Sequence, residues 1–169
     1  MIKEIYLAGG CFWGTEHYFK QIDGVISTDV GYANGTTLNP SYEEVYTDTT
    51  GHAECVHIVY DAEVVALELL IRMFFRSIDP TSLNRQGEDC GTRYRTGIYY
   101  IDNADIDIIK QVYNEVEVLV GEPLAVELMP LQSFYTAEEY HQDYLDKNPS
   151  GYCHIPMALM LMAKEANKR

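Results

Sequence analysis

Near the start of the chain, Gly9-Gly10-Cys11-Phe12-Trp13-Gly14 combines a thiol with three glycines and two large aromatics. A thiol becomes a nucleophile when it ionises. It ionises most readily at a helix N-terminus, where free backbone N–H groups and the dipole favour an anion. The residues before Cys11 read as a strand with Ile5 and Leu7 on one side. Those after it carry Glu16, His17, Phe19 and Lys20 at helical spacing. Cys11 is therefore expected in the first helical turn, with a pKa below the ordinary thiol value of about 8.5. The glycines permit the tight turn and leave the sulfur uncovered. The same residues also suit a plain core cysteine under an aromatic pair, because free cysteine is among the most buried residue types.

Other residues could complete a site around that thiol. Glu54, in Gly51-His52-Ala53-Glu54, opens an apolar strand, where burial would raise its pKa and keep it protonated. It fits equally well as an edge glutamate facing water. Tyr42 lies in a polar stretch and Tyr94 in Asp89-Cys90-Gly91-Thr92-Arg93-Tyr94-Arg95. Phenols both donate and accept hydrogen bonds, but among 14 tyrosines neither stands out by type alone. Asp89 reads as a turn residue or a ligand-holding one. His141, in Ala137-Glu138-Glu139-Tyr140-His141-Gln142, reads as a surface histidine or a binding one. Cys153, in Asn148-Pro149-Ser150-Gly151-Tyr152-Cys153, is a thiol in a tail able to move.

Together these motifs resemble the peptide-methionine (S)-S-oxide reductases, the A class of methionine sulfoxide reductases. The likeness spans residues 9–14, 51–54, 89–95 and 137–153. It implies thiol-dependent reduction of methionine S-sulfoxide, free or in oxidised proteins, to methionine. A sulfoxide has a polarised S–O bond but a poor leaving oxygen. Its reduction therefore needs a thiolate at sulfur and an acid for the oxygen. By the resemblance, Cys11 attacks and Glu54 donates the proton. Tyr42 and Tyr94 hydrogen-bond the oxygen, and Phe12 and Trp13 wall the methyl group. Sulfur–aromatic contact there is worth about 0.3–1.5 kcal/mol. Asp89 and His141 hold the backbone of a peptide substrate. The Cys11 sulfenic acid then condenses with Cys153, and thioredoxin reduces the disulfide. No cofactor or metal is implied. Two features depart from the family: no cysteine follows Cys153, and Arg93 stands where glutamine is usual. Cys55 and Cys90 match no family role; Cys55 alternates away from Glu54 and reads as core.

The elements that must position these groups follow from periodicity. Strands are expected at 2–8, 25–33, 53–60, 96–101 and 124–128. Helices are expected at 12–21, 62–77, from Asp102 or Asn103 onward, at 136–146, and after Pro156. The 62–77 helix should bury Val64, Leu67, Ile71 and Phe74 or Phe75. Residues 36–51 and 79–95 read as long loops, a length often associated with function. The order β-α-β-β-α-β over 2–101 predicts an α+β, two-layer ferredoxin-like sandwich with a helix, strand and irregular C-terminal tail added. The whole chain, 1–169, reads as a single catalytic domain, with 147–169 as the tail that carries the resolving cysteine.

Composition narrows the function classes. The 169 residues carry 26 acidic and 12 basic side chains, a net charge of -14. Such a chain is repelled by phosphate backbones and anionic lipid, so nucleic-acid and membrane partners are not expected. Met1 leads almost directly into the first strand, so no targeting segment is expected and the protein reads as cytoplasmic and monomeric. Two other readings compete. One is a cysteine hydrolase pairing Cys11 with His141 or His52. The other is a zinc-binding module using Cys153, His154 and His52.

Overall fold

The computed structural model describes residues 1–167. In chain order the elements are β1 (Ile2–Gly9), α1 (Phe12–Lys20), β2 (Val25–Ala33), α2 (Tyr42–Tyr46), β3 (Ala53–Asp61) and α3 (Leu67–Arg76). A short antiparallel pair, β4 (Arg85–Gln86) and β5 (Asp89–Cys90), precedes a 3-10 turn at Thr92–Tyr94. Then come β6 (Thr96–Tyr100), α4 (Ile106–Val120), β7 (Glu127–Pro130), β8 (Phe134–Thr136), α5 (Tyr144–Lys147) and α6 (Met157–Glu165).

The main sheet has the order β7-β6-β1-β3-β2-β8. β3 lies between β1 and β2, antiparallel to both, and β6 is antiparallel to β1. This is the split βαβ arrangement expected of the first hundred residues, and the fold is α+β. β7 adds parallel to β6, which makes the sheet mixed.

Alternation along β3 decides which side chains reach the core. Val56, Ile58 and Tyr60 join the main cluster with Phe19 of α1 and Leu70, Ile71 and Phe74 of α3. Glu54 lies on this same face. Cys55 points the other way, into a smaller cluster with Ala8, Ala33 and Tyr99. It is fully buried, as expected of a core cysteine.

Several expected boundaries moved, each for a local reason. The 62–77 helix begins only at Leu67, because the N–H groups of Val64 and Val65 turn back onto the carbonyl of Asp61. Val64 is thereby exposed rather than part of the buried stripe. The 36–51 stretch contains α2, started by a Ser41–Glu44 capping box. Asp102 caps the turn into α4 as expected, accepting from the Ala104 N–H at 2.9 Å.

The expected helix at 136–146 is replaced by β8, a 3-10 turn at Glu139–His141 and α5, with Asp143 left-handed at φ 53°. Tertiary bonds override helical spacing here. Gln142 accepts from the Val30 N–H and donates to the Val30 carbonyl, both at 2.9 Å. Glu138 accepts from the Tyr32 hydroxyl at 2.7 Å and the Tyr42 N–H at 2.9 Å.

β8 lies so close to β2 that a Cβ on Gly31 would stand 2.4 Å from the Phe134 ring and 2.5 Å from the Tyr135 carbonyl. Gly31→Ala should therefore push this edge away and destabilise the fold by about 1–3 kcal/mol, the usual cost of overpacking. A lowered urea midpoint with unchanged slope checks this; an unchanged midpoint contradicts it.

Candidate active site

Cys11 is the N-cap residue of α1, so its backbone carbonyl opens the helix. Its side chain is nearly buried, 7% exposed, and reaches a small cavity of about 60 Å³. Phe12, Trp13, Tyr42, Glu54, Asp89, Tyr94 and Tyr152 line the rest of that cavity. The expected helix start is present, but the expected acidic thiol is not. Burial pushes the Cys11 pKa well above the ordinary thiol value, and the nearby Glu54 carboxyl adds to the rise. The N–H groups of Trp13 and Gly14 pull the other way and are outweighed. The resting group is a neutral thiol.

Glu54 is a buried acid, not an edge glutamate. It is 2% exposed, and burial raises its pKa to about 8. Two effects oppose that rise. The Phe12 N–H donates to Oε1 at 3.1 Å, and the Arg93 charge favours the carboxylate. Asp89 and Asp48 act in the same direction as burial. α1 and β3 thus deliver a protonatable carboxyl and a thiol to one cavity, and the Phe12 amide next to the thiol orients the carboxyl.

The two phenols come from different segments. Tyr42 is the first residue of α2, and burial pushes its pKa up to about 12. Tyr94 ends the 3-10 turn and is buried, which raises its pKa also. Both stay protonated and able to donate. Arg93 lies behind them. Its guanidinium sits 4.4 Å from the ring centres of both Tyr46 and Tyr94 and pairs with Asp48 at 2.5 Å. Asp48 also accepts from the Arg93 N–H at 3.0 Å, which fixes the turn that carries Tyr94.

The aromatic wall is stacked in layers. Trp13 stacks on Tyr144 with centroids 3.7 Å apart and planes 9° from parallel. Its indole N–H donates to Nδ1 of His141 at 3.0 Å. His141 is 1% exposed, packs against Phe12 and Tyr42, and has Nε2 buried with no hydrogen-bond partner among the described residues. It is therefore neither a surface residue nor part of the cavity lining; it stands behind the wall. Asp89 does line the cavity and accepts from the Tyr152 hydroxyl at 3.1 Å.

Cys153 does not share the Cys11 cavity. It faces a larger one of about 340 Å³, lined also by His17, Leu145, Met157 and Met160. Its thiol hydrogen-bonds the Ile155 carbonyl at 3.3 Å, and burial raises its pKa. All four cysteines carry free thiols, and Cys90 is exposed.

The two competing arrangements lack their geometry. His52 uses both ring nitrogens, Nδ1 accepting from the Gly35 N–H at 3.1 Å and Nε2 meeting the Thr37 carbonyl at 2.8 Å. His141 is engaged by Trp13. Among the described residues no cluster of three or more His, Cys, Asp or Glu could hold a metal ion.

Three contributors were not singled out in the sequence. Tyr152 closes the cavity, although it stands within a quoted motif. Tyr144 supports Trp13, and Glu138 ties Tyr32 to the start of α2. Nothing in their local spacing marks them, since each acts across the fold.

Comparison with known proteins gives the family. The family described as "Peptide methionine sulfoxide reductase" matches residues 3–169. A peptide methionine sulfoxide reductase MsrA of Lachnoclostridium phytofermentans is 58% identical over 166 residues, covering 98% of this chain and 100% of that protein. Among solved structures, reduced Mxr1 of Saccharomyces cerevisiae is 42% identical, with a TM-score of 0.85, covering 90% of this chain and 88% of that one. The same yeast protein in complex with Trx2 is 31% identical, with a TM-score of 0.61 over 85% and 84% of the two chains. With a thiol, a protonatable carboxyl and two phenols meeting inside one aromatic cleft, and with likeness of this extent, the chain belongs to the MsrA family of peptide methionine sulfoxide reductases, oxidoreductases that reduce methionine sulfoxide.

Proposed function

We propose that this enzyme takes the S epimer of methionine sulfoxide, free or in oxidised proteins, and works through a Cys11 sulfenic acid and a Cys11–Cys153 disulfide. The observation that carries the reading is the shared cavity of the Cys11 sulfur, a Glu54 carboxyl with a pKa near 8, and the Tyr42 and Tyr94 phenols. Protonated Glu54 gives its proton to the sulfoxide oxygen, which makes the substrate sulfur electrophilic. The phenols hydrogen-bond that oxygen as it gains charge. The Cys11 thiol yields its proton to the Glu54 carboxylate and attacks. The sulfoxide oxygen moves to Cys11 as a sulfenic acid, the thioether leaves, and no proton is gained or lost overall. A raised Cys11 pKa is compatible with this path, because the thiol ionises only as its proton is taken up inside the cavity.

Phe12 and Trp13 hold the methyl group. Asp89 binds the substrate backbone, and His141 keeps Trp13 oriented for the same contact. Cys153 then attacks the sulfenic acid, forming the disulfide and releasing water. Both electrons come from thiols, so no cofactor is needed. The Mxr1–Trx2 complex supports thioredoxin as the reductant here. The chain acts as one monomeric catalytic domain over residues 1–169, with 147–169 as the C-terminal tail that carries the resolving cysteine; residues 168 and 169 lie outside the described ones. Four free thiols suit the reducing cytoplasm, and a charge of -14 leaves nucleic acid and membrane out of the account. Turnover of the S but not the R sulfoxide tests the reading; equal turnover of both, or none, overturns it.

Two predictions follow from the chemistry. Glu54 must be protonated to donate, so kcat/KM should fall as pH rises through about 8. Glu54→Gln should lose about 10²–10⁴-fold in kcat. The same variant should be the more stable protein at pH 8. A carboxyl with a raised folded pKa loses stability as pH climbs from its unfolded value toward the folded one. Each pH unit of that window is worth about 1.4 kcal/mol, so a gain of at least about 2 kcal/mol is expected for the glutamine. Equal stability at pH 4 and a gap at pH 8, read by thermal melts, would bear this out.

Thiol counting isolates the second step. One equivalent of sulfoxide without reductant should remove two thiols from the wild type and one from Cys153→Ser, which should retain a trappable sulfenic acid. Loss of two thiols in Cys153→Ser would move the resolving role to another cysteine.

A further inference from the structure

The residue after Cys153 is inserted into the glycine frame of the first motif. The His154 ring meets the Gly9 carbonyl through Nε2 at 2.9 Å. A Cβ on Gly10 would stand 3.3 Å from that nitrogen. A Cβ on Gly14 would stand 2.9 Å from Nδ1 and 3.1 Å from the Cys153 sulfur. Gly14 thus leaves a gap on the first turn of α1 that the tail fills with an imidazole and a thiol. The two atoms are within about 6 Å of each other, the sum of those distances.

The tautomer follows from the bond to Gly9. A carbonyl can only accept, so Nε2 carries the hydrogen and Nδ1 of the neutral ring holds a lone pair. That lone pair is buried and has no hydrogen-bond partner among the described residues. Burial lowers the ring pKa, opposed by the Gly9 carbonyl and by Asp89, the charged group that faces it. The ring is thus neutral and able to accept a proton. The adjacent Cys153 thiol has the opposite need, because burial disfavours its thiolate.

We propose that His154 is the base of the resolving step, taking the Cys153 proton at Nδ1 as the tail closes on oxidised Cys11. This rests on the reading of Cys153 as the resolving thiol. The Cys153 sulfur attacks the Cys11 sulfur, the S–S bond forms and the Cys11 S–O bond breaks. The proton held by His154 leaves with that oxygen as water, so the sum is one thiol and one sulfenic acid giving one disulfide and one water. Gly10 and Gly14 then have a further use, because the absence of a Cβ at each leaves the room the imidazole occupies.

Quenched-flow single turnover with one equivalent of S-sulfoxide separates the steps. Thioether release reports Cys11 chemistry and the integrity of the fold; loss of the second thiol reports resolution. His154→Ala should release thioether at nearly the wild-type rate but form disulfide about 10²-fold more slowly, the low end for loss of a general base. Added imidazole should restore part of that rate. His154→Asn can still donate to the Gly9 carbonyl but offers no basic nitrogen, so it should be slow as well. Wild-type resolution in His154→Asn, or no response of His154→Ala to imidazole, overturns the proposal. Loss of a single thiol by the wild type would instead overturn the resolving role of Cys153, and this inference with it.

Discussion

The structure depends on keeping one carboxyl unionised in a place where water cannot solvate it. Glu54 sits on the core-facing side of β3, continuous with Val56, Ile58 and Tyr60. A carboxylate there would be costly, so the group retains its proton near neutral pH. The same burial keeps that proton in place near neutral pH, where the proposed transfer to an oxygen needs it, and makes the carboxylate a better base for taking a proton back from a thiol. Partial compensation is supplied by the Phe12 amide and, from behind, by the Arg93 charge. Arg93 is itself balanced by Asp48, so the cavity gains some positive potential without a free cation that would ionise Glu54 outright.

A second buried acid shows the same economy used for construction. Glu16 on α1 is 1% exposed and has a pKa raised by burial to about 7. It accepts from the Thr28 hydroxyl and the Asp143 N–H, both at 2.8 Å, so it fastens the chain before α5 to α1 and β2. Lys20 adds ion pairs to Asp143 and Asp146 on the same seam. Through this seam Tyr144 is held against Trp13 and His141 against the indole N–H. The aromatic wall is therefore anchored by polar groups well away from the cavity.

Much of this was legible in the sequence wherever a repeating pattern met a single burial direction. The alternation of β3 and the apolar spacing of α4 matched their elements, α3 was present but started at Leu67 with Val64 exposed, and the split βαβ order followed from them. The motifs around Cys11, Glu54 and Tyr94 identified most of the cavity lining. Three kinds of information were out of reach. The 136–146 segment carries helical spacing, yet Gln142 and Glu138 bond to β2, and that competition is between distant residues. The thiol pKa turned on the balance of helix-end amides against burial, which spacing cannot weigh. The 3-10 and β8 geometry near His141 depends on Gly31 admitting Phe134, a contact between residues 103 positions apart in the chain.

The separation of the two thiols proposed to react has its own logic. In the reduced state Cys11 and Cys153 open into different cavities, and burial disfavours ionisation of both. On the proposed mechanism, a thiolate at Cys153 facing solvent would compete with Cys11 for oxidants and consume the resolving group first. Keeping it protonated, bonded to the Ile155 carbonyl and flanked by a ring bonded to Gly9, reserves it until an electrophilic sulfur exists nearby. Beyond this point Ile155, Met160 and Ala163 are buried in the main core and Cys153 packs against it, while Tyr152 and the Cys153 thiol also make polar contacts. Tyr152 bonds Asp89 at the cavity that receives substrate. Because Tyr152 and Cys153 are neighbours in the chain, the proposed movement of Cys153 toward Cys11 would bear on the Tyr152–Asp89 bond as well.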